Sequence, residues 1–314
     1  MASENYDVVV VGSCNVDLIS YVPRFPRAGE TLTGHKFAIG CGGKGANACV
    51  MAAKLGAKAS MIGRVGDDSF GEMYLKNFSK HGINIDHLKV TKDTTTGVAP
   101  IHVNDDGENA IVIVKGANDL ITKEDLRNAM SVIRNAKVVL CQLEIDADIT
   151  LETLKIAKQN HVTTIFNPAP AIKGLSKEFL QNSDIVICNE TEAEILTGLP
   201  VTNDEQLKKA IKGLLKSGCC KVVITLGSRG AICAESSQEE PTFISAKQVK
   251  AVDTTGAGDA FVGTLAYFHA TRGDSLPFVQ IVERACHIAG VTVTKPGTQS
   301  SYPNKNELPD ELFQ

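Results

Sequence analysis

Short apolar runs alternate with stretches of helical spacing along nearly the whole chain, and this rhythm restricts the fold more than any other feature. The runs are Val8 to Val11, Ser60 to Ile62, Val138 to Leu140, Thr164 to Phe166, Ile185 to Ile187 and Val222 to Thr225. Between them, Lys44 to Leu55, Ser69 to Lys80, Lys123 to Arg134, Leu151 to Lys158, Asp204 to Lys216 and Ala257 to Thr271 place apolar residues at helical intervals. Strands separated by helices make a parallel sheet covered on both faces, so the expected architecture is a three-layer α/β/α fold. Two regions break the rhythm. Residues 15–39 and 94–114 read as polar, alternating strands with turns such as Asp105-Asp106-Gly107, which predicts an antiparallel flap over one end of the sheet.

No repeat, low-complexity tract or Pro/Gly linker divides the 314 residues, so one domain with its flap is expected. A hydrophobic content of 43% is that of a globular core. The net charge of -4 comes with lysines and arginines scattered singly or in pairs such as Lys208 and Lys209, which excludes a nucleic-acid surface. Nine cysteines without a CxxC pair fit neither a disulfide framework nor a zinc site. The opening MASENYDVVVVG lacks a basic leader and a long apolar core, and no segment is apolar enough to span a bilayer. A protein of the cytosol, or of cytosol and nucleus, is expected, with the sequons at Asn77 and Asn189 as chance matches.

Two glycine-rich stretches run directly into apolar helices. In Gly40-Cys41-Gly42-Gly43-Lys44-Gly45-Ala46-Asn47, the glycines admit a ligand close to the backbone, and the helix end is expected to offer free N–H groups. It contains GxGxxG but follows the flap instead of an opening strand, which argues against a dinucleotide fingerprint. It fails the P-loop pattern as well, because Lys44 precedes Gly45 and no Ser or Thr follows. A tight loop with a helix cap is the plain alternative. The second stretch is Asp253-Thr254-Thr255-Gly256-Ala257-Gly258-Asp259. Small residues at 256–258 leave backbone N–H groups at a positive helix end, suited to charge developing on a phosphoryl group, and a carboxylate beside them can take a hydroxyl proton. A lone Asp there would read as an N-cap; two aspartates bracketing Gly-Ala-Gly weaken that reading.

These stretches, with Gly12-Ser13-Cys14-Asn15-Val16-Asp17, resemble the ribokinase branch of the phosphofructokinase-B-type sugar kinases. Asn167-Pro168-Ala169-Pro170, Asn189-Glu190-Thr191-Glu192, Thr225-Leu226-Gly227-Ser228-Arg229-Gly230 and Gly297-Thr298-Gln299-Ser300-Ser301 follow in the family's order. The resemblance covers nearly the whole chain and implies ATP-dependent phosphorylation of the D-ribose 5-hydroxyl, with deoxyribose, fructose or adenosine as the competing acceptors and a non-catalytic sugar or nucleotide sensor of the same fold as the alternative, which the retention of both Asp253 and Asp259 argues against. It further implies that Asn15, Val16 and Asp17 hold the sugar from the flap, Gly43, Lys44, Gly45, Ala46 and Asn47 from the helix end, and Glu144 from a strand end. Asp259 is then the general base, beside an anion hole at Gly256, Ala257 and Gly258.

The resemblance links Asn189 and Glu192 to magnesium and phosphate, although Asn189 alone is equally a helix cap. It assigns Thr225, Leu226, Gly227, Ser228, Arg229 and Gly230 to the nucleotide, although the same residues alone form an ordinary turn. Cys286 and His287 stand where related enzymes carry an Asn near the adenine, and a histidine on an apolar helix is as readily a core residue. Asp253, Thr255, Thr292, Lys295, Gly297 and Ser301 are expected to hold an activating K⁺, with Lys295 offering only its carbonyl. A homodimer through the flap is expected, because flap strands leave exposed edges.

Overall fold

The computed structural model describes residues 5–236 and 240–314; the first four residues of the segment read above for a leader lie outside them. In chain order the first part gives β1 (Tyr6–Val11), β2 (Asn15–Tyr21), β3 (Lys36–Gly42), α1 (Lys44–Lys54), β4 (Ala59–Gly66), α2 (Ser69–Lys80), β5 (Leu88–Thr91), β6 (Gly97–Val103) and β7 (Asn109–Ile111). Next come α3 (Lys123–Asn128), α4 (Met130–Arg134), β8 (Ala136–Cys141), α5 (Ala147–Gln159), β9 (Thr163–Phe166), α6 (Lys177–Gln181), β10 (Ile185–Asn189) and α7 (Glu190–Thr197). The last part gives α8 (Asp204–Lys216), β11 (Lys221–Thr225), β12 (Ala231–Glu235), β13 (Thr242–Ile244), α9 (Ala257–Arg272) and α10 (Phe278–Thr292). Every apolar run named from the sequence lies inside a strand. The expected helix over Lys123 to Arg134 is interrupted at Ala129, whose ψ of 5° leaves the helical range.

The large sheet runs β13-β12-β11-β10-β9-β8-β1-β4-β5, parallel from β11 to β5 and antiparallel at β12 and β13. Side chains alternate between its faces. Val8, Val10, Leu140 and Ile187 pack with α1, α9 and α10, while Val9, Val11, Val139 and Cys141 pack with α3, α4 and α5. Further along, Val186 and Ile224 meet Leu207, Ile211 and Leu214 of α8. Runs of Val and Ile therefore form these strands because both faces are buried. The three-layer α/β/α fold follows.

The flap is a four-stranded sheet of order β3-β2-β6-β7. Its two central strands, β2 and β6, pair in parallel from Asn15 with Gly97 to Tyr21 with Val103, so the expectation of a wholly antiparallel flap is corrected. The reason is topological: α1, β4, α2 and β5 intervene between them, and that long crossover returns the chain in the same direction. Strand structure also covers less of this region than expected, with residues 22–35 forming a loop. Tyr74 of α2 fixes the roots of the flap, its hydroxyl donating to the Asn15 carbonyl at 2.8 Å and touching the Gly42 carbonyl.

Helices α1 and α9 cross in direct backbone contact at Gly263. A Cβ there would strike the Ala48 carbonyl oxygen and lie 2.9 Å from Met51 Cβ, and neither obstacle is a flexible side-chain end. Gly213 of α8, by contrast, faces nothing within 4 Å. Gly263→Ala should therefore destabilise the protein by about 1 to 3 kcal/mol, whereas Gly213→Ala should stabilise it by about 0.5 to 1 kcal/mol. Urea denaturation of the two variants checks the opposite signs.

Candidate active site

Chain connections leave β1 and β8 in opposite directions across the sheet, and the crevice beyond the carboxyl ends of such neighbours is where ligands bind in open α/β sheets. The loop after β1 supplies Ser13 and the first residue of β2 is Asn15; the segment after β8 supplies Glu144. The carboxylate of Glu144 accepts from Ser13 Oγ at 2.6 Å, from the Lys44 backbone N–H at 2.8 Å and from Asn15 Nδ2 at 3.4 Å. It is a buried, hydrogen-bonded carboxylate, not a solvated strand end. Asn15 Oδ1 in turn accepts from Asn118 Nδ2 at 2.8 Å, and Asn118 Oδ1 accepts from the Cys14 N–H at 2.9 Å. Asn118 was not singled out from the sequence. A signal existed, because Lys115-Gly116-Ala117-Asn118 repeats Lys44-Gly45-Ala46-Asn47.

The two glycine-rich helix ends differ. Gly43 (φ 84°) and Gly256 (φ 75°) both start their helices from left-handed backbone, open to glycine without strain. At α1 the N–H groups are already used: Lys44 donates to Glu144, Gly45 to Ser13 Oγ at 3.4 Å and Ala46 to the Ser13 carbonyl at 2.9 Å. The expectation of free donors there is corrected, since this end braces the crevice. At α9 no residue caps the end with a side chain, and among the described residues none accepts from the Gly258 or Asp259 N–H groups. That end keeps its partial positive charge for a ligand.

Asp259 is buried where these parts converge. Its Oδ2 accepts from Asn47 Nδ2 at 2.7 Å, and Lys44 Nζ stands 3.9 Å from Oδ1. Burial raises its carboxyl, Lys44 and Asn47 oppose that, and the net shift is upward. Asp17 reaches the same space from β2. Burial, then the charges of Glu144 and Asp259, push its carboxyl up to about 7. Lys44 is held protonated chiefly by Asp259, with Glu144 and Glu192 adding to the effect against burial. Val16 and Ala46 are fully buried in the core beneath, so their contribution to the crevice is backbone alone.

A cavity of about 310 Å³ adjoins the α9 end. Thr225, Gly227, Ser228, Gly230, Gly258 and Cys286 line it, together with Val249 and Gly290, which the sequence reading did not name. Leu226, Arg229 and His287, also expected at the nucleotide, are directed elsewhere. Leu226 is buried in the core with Ile224 and Leu207. Arg229 turns outward to Glu190 at 2.8 Å and Asp204 at 3.1 Å, because both carboxylates stand at the first turns of α7 and α8. His287 does not line the cavity but an adjoining groove with Glu283 and Arg284, which shares Lys247 and Cys286 with it.

Asn189 and Glu192 form a reciprocal capping box on α7: Glu192 N–H donates to Asn189 Oδ1 and Asn189 N–H to Glu192 Oε2, both at 2.8 Å. Burial raises the Glu192 carboxyl in spite of Lys44 and the Asn189 N–H. Asp253 accepts from Thr255 N–H at 2.9 Å and, across the fold, from Gly297 N–H at 2.8 Å. Burial works to raise its carboxyl, but these bonds outweigh it and hold it below the ordinary range. Thr292 Oγ1 donates to the Ala289 carbonyl and Ser301 Oγ to the Thr298 carbonyl. Lys295 points away to Glu307 at 3.7 Å.

A buried carboxylate facing unsatisfied helix N–H groups, between a polar crevice and an apolar-walled cavity, is the arrangement of a phosphotransferase that acts on a hydroxyl. Residues 5–305 match the pfkB family carbohydrate kinases, and the chain belongs to that family. Mouse ribokinase is 50% identical over 98% of this chain and 94% of its own. A Salmonella typhi deoxyribokinase is 38% identical over 98% of both. The structure of Arabidopsis thaliana ribokinase complexed with ribose and ATP superposes with a TM-score of 0.88 at 30% identity, covering 96% of this chain and 97% of that one.

The position of Asp17 has a measurable consequence. The folded protein keeps its proton up to about pH 7, whereas an unfolded chain releases it near pH 3.8, so folding loses stability as pH rises through that window. Asp17→Asn carries no charge at any pH. Its stability relative to wild type should grow as pH rises from about 4 to about 7, reaching on the order of 1 to 3 kcal/mol by urea denaturation. A constant difference across that range would contradict the assignment.

Proposed function

We propose that this protein phosphorylates D-ribose at its 5-hydroxyl with ATP, giving D-ribose 5-phosphate and ADP. The observation that carries the reading is Asp259, a buried carboxylate at the open N–H groups of α9 and bonded to Asn47 of the crevice. The polar crevice under the flap suits a polyol: Asp17 and Glu144 accept from hydroxyls, while Asn15 and Lys44 donate. The cavity beside α9 has the apolar walls and glycine floor that suit an adenine ring, with Gly290 leaving room for it. The greater identity to mouse ribokinase than to the deoxyribokinase favours ribose as acceptor.

In this reading Asp259 takes the proton of the 5-hydroxyl as the oxygen attacks in line. Burial makes the carboxylate a stronger base than a surface one, while Lys44 favours its ionised form. The Gly256 and Gly258 amides stabilise the transferring phosphoryl oxygens, whereas the Ala257 N–H, also expected there, already donates to the Thr254 carbonyl at 3.2 Å. Mg²⁺ bound with ATP neutralises phosphate charge. Glu192 fits that partner, since among the described residues only its Oε2 accepts a hydrogen bond, and an ion that keeps most of its waters needs no more than one or two carboxylates. Among the described residues no group of three or more His, Cys, Asp and Glu converges as a dedicated metal cage.

We assign an activating K⁺ to the loop of Asp253, Thr255, Thr292, Lys295, Gly297 and Ser301. The donor chemistry fits: Asp253 stays ionised, and Lys295 directs its ammonium elsewhere and leaves only its carbonyl. The ion would steady the turn that sets the α9 amides. We also propose a homodimer through the flap, supported by exposed Phe37, Ile39, Ile111 and Val112, and a single kinase domain acting in the cytosol, or cytosol and nucleus. Among the described residues no helix is long and apolar enough to cross a membrane.

A kinase assay with ribose, deoxyribose, fructose and adenosine tests the reaction; highest kcat/KM on another acceptor would overturn it. Asp259→Asn should keep ribose binding by calorimetry while lowering kcat by about 10²-fold to 10⁴-fold. Wild-type turnover in the folded variant would remove the base from Asp259. Replacing Na⁺ by K⁺ at constant ionic strength should raise kcat clearly, and Asp253→Ala should abolish that response; equal rates in the two salts for wild type exclude the ion.

A further inference from the structure

Three side-chain amides stand in file behind Asp259. Asn47 Nδ2 donates to Asp259 Oδ2 at 2.7 Å, Gln299 Nε2 donates to Asn47 Oδ1 at 2.9 Å, and Asn77 Nδ2 donates to Gln299 Oε1 at 2.8 Å. They come from α1, the segment after α10, and α2. Asn47 and Gln299 are buried. The direction of the file is dictated by its end. An ionised carboxylate only accepts, so Asn47 must turn its nitrogen to Asp259 and its oxygen to Gln299. Gln299 must then donate, which turns its own oxygen to Asn77. Each amide fixes the next, and hydrogen bonds in such a chain polarise one another.

We propose that Gln299 is a positioning residue for the phosphoryl-transfer base: it locks the Asn47 amide so that Asp259 always receives a donor, stays ionised, and keeps its other oxygen for the substrate hydroxyl. The inference rests on the reading of Asp259 as the base. No role was attached to Gln299 from the sequence, where it appeared only within the Gly-Thr-Gln-Ser-Ser run. Its backbone is held separately, because Lys54 Nζ donates to the Gln299 carbonyl at 3.1 Å and to the Tyr302 carbonyl at 2.7 Å. Changing the side chain therefore leaves the loop anchored.

Gln299→Glu sets the two ends of the file in conflict. The new carboxylate still accepts from Asn77 but, when ionised, has no proton for Asn47, so two carboxylates compete for the one Asn47 amide nitrogen and Asp259 no longer holds its donor alone. Losing a donor to the charged form raises a carboxyl pKa. The acid limb of the kcat against pH profile should move up by about one unit, giving about tenfold lower turnover on the acid side and an alkaline plateau within about threefold of wild type. Gln299→Met removes the donor without adding charge and should move the limb the same way by a smaller amount, about threefold on the acid side. A limb unmoved in whichever variant folds, with only a uniform fall in kcat, overturns the inference.

Two controls separate the causes. In an Asn47→Ala background the relay is cut, so Gln299→Glu should no longer move the limb; a full shift persisting there would mean charge acting through space and would overturn the relay. Asp259→Asn measured in parallel keeps the two readings apart. Wild-type turnover in Asp259→Asn fails the base itself, whereas a crippled Asp259→Asn beside an unmoved Gln299→Glu profile fails only the relay.

Discussion

The crossing of α1 and α9 at Gly263 holds this molecule's chemistry in place. Backbone meets backbone there, with the Ala48 carbonyl seated where any side chain would intrude. Helices this close place their N-termini side by side, and each N-terminus carries one half of the site. Asn47 and Asp259 are 212 positions apart in sequence yet share a 2.7 Å hydrogen bond.

Charge is the second constraint. Asp17, Glu144 and Asp259 are buried near one another with Lys44 as the cation between them, an arrangement that a fold selected for stability alone would avoid. Burial and mutual repulsion drive Asp17 and Asp259 toward the protonated form, while Lys44 and Asn47 hold Asp259 back. In the reading proposed above, hydroxyl groups of the acceptor sugar add donors beside these carboxylates and ease their mutual repulsion.

The layered architecture was legible in the sequence because it depends on periodicity, a local property. Val8 to Val11 and Ile185 to Ile187 can only be strands buried on both faces. Flap pairing was not legible, since β2 and β6 run parallel only because of what the intervening crossover does. The site was legible as motifs but not as wiring. Gly43 and Gly256 both mark helix starts, yet Ser13 and Glu144 consume the donors of one and leave the other open. The fate of such groups depends on partners far away in sequence. Arg229 shows the same limit, drawn off by Glu190 and Asp204, whose proximity no local pattern encodes. Gln299 could be quoted within a motif long before its neighbours gave it a task.

Tyr74 bears on how the flap can move. Its hydroxyl sits between the carbonyls of Asn15 and Gly42, the inner ends of β2 and β3, so both strands are pinned where they leave the body of the protein. A pinned root acts as a pivot, and displacement about a pivot grows with the length of the arm. Asp17 lies about 7 Å along β2 from the pivot, while Tyr21 lies about 20 Å out. A swing large enough to admit a sugar at the tip therefore carries the Asp17 carboxylate through only about a third of that travel. In the reading proposed above, the Asp17 that binds the sugar rides on the part of the lever that barely moves, and the entrance rides on the part that moves most.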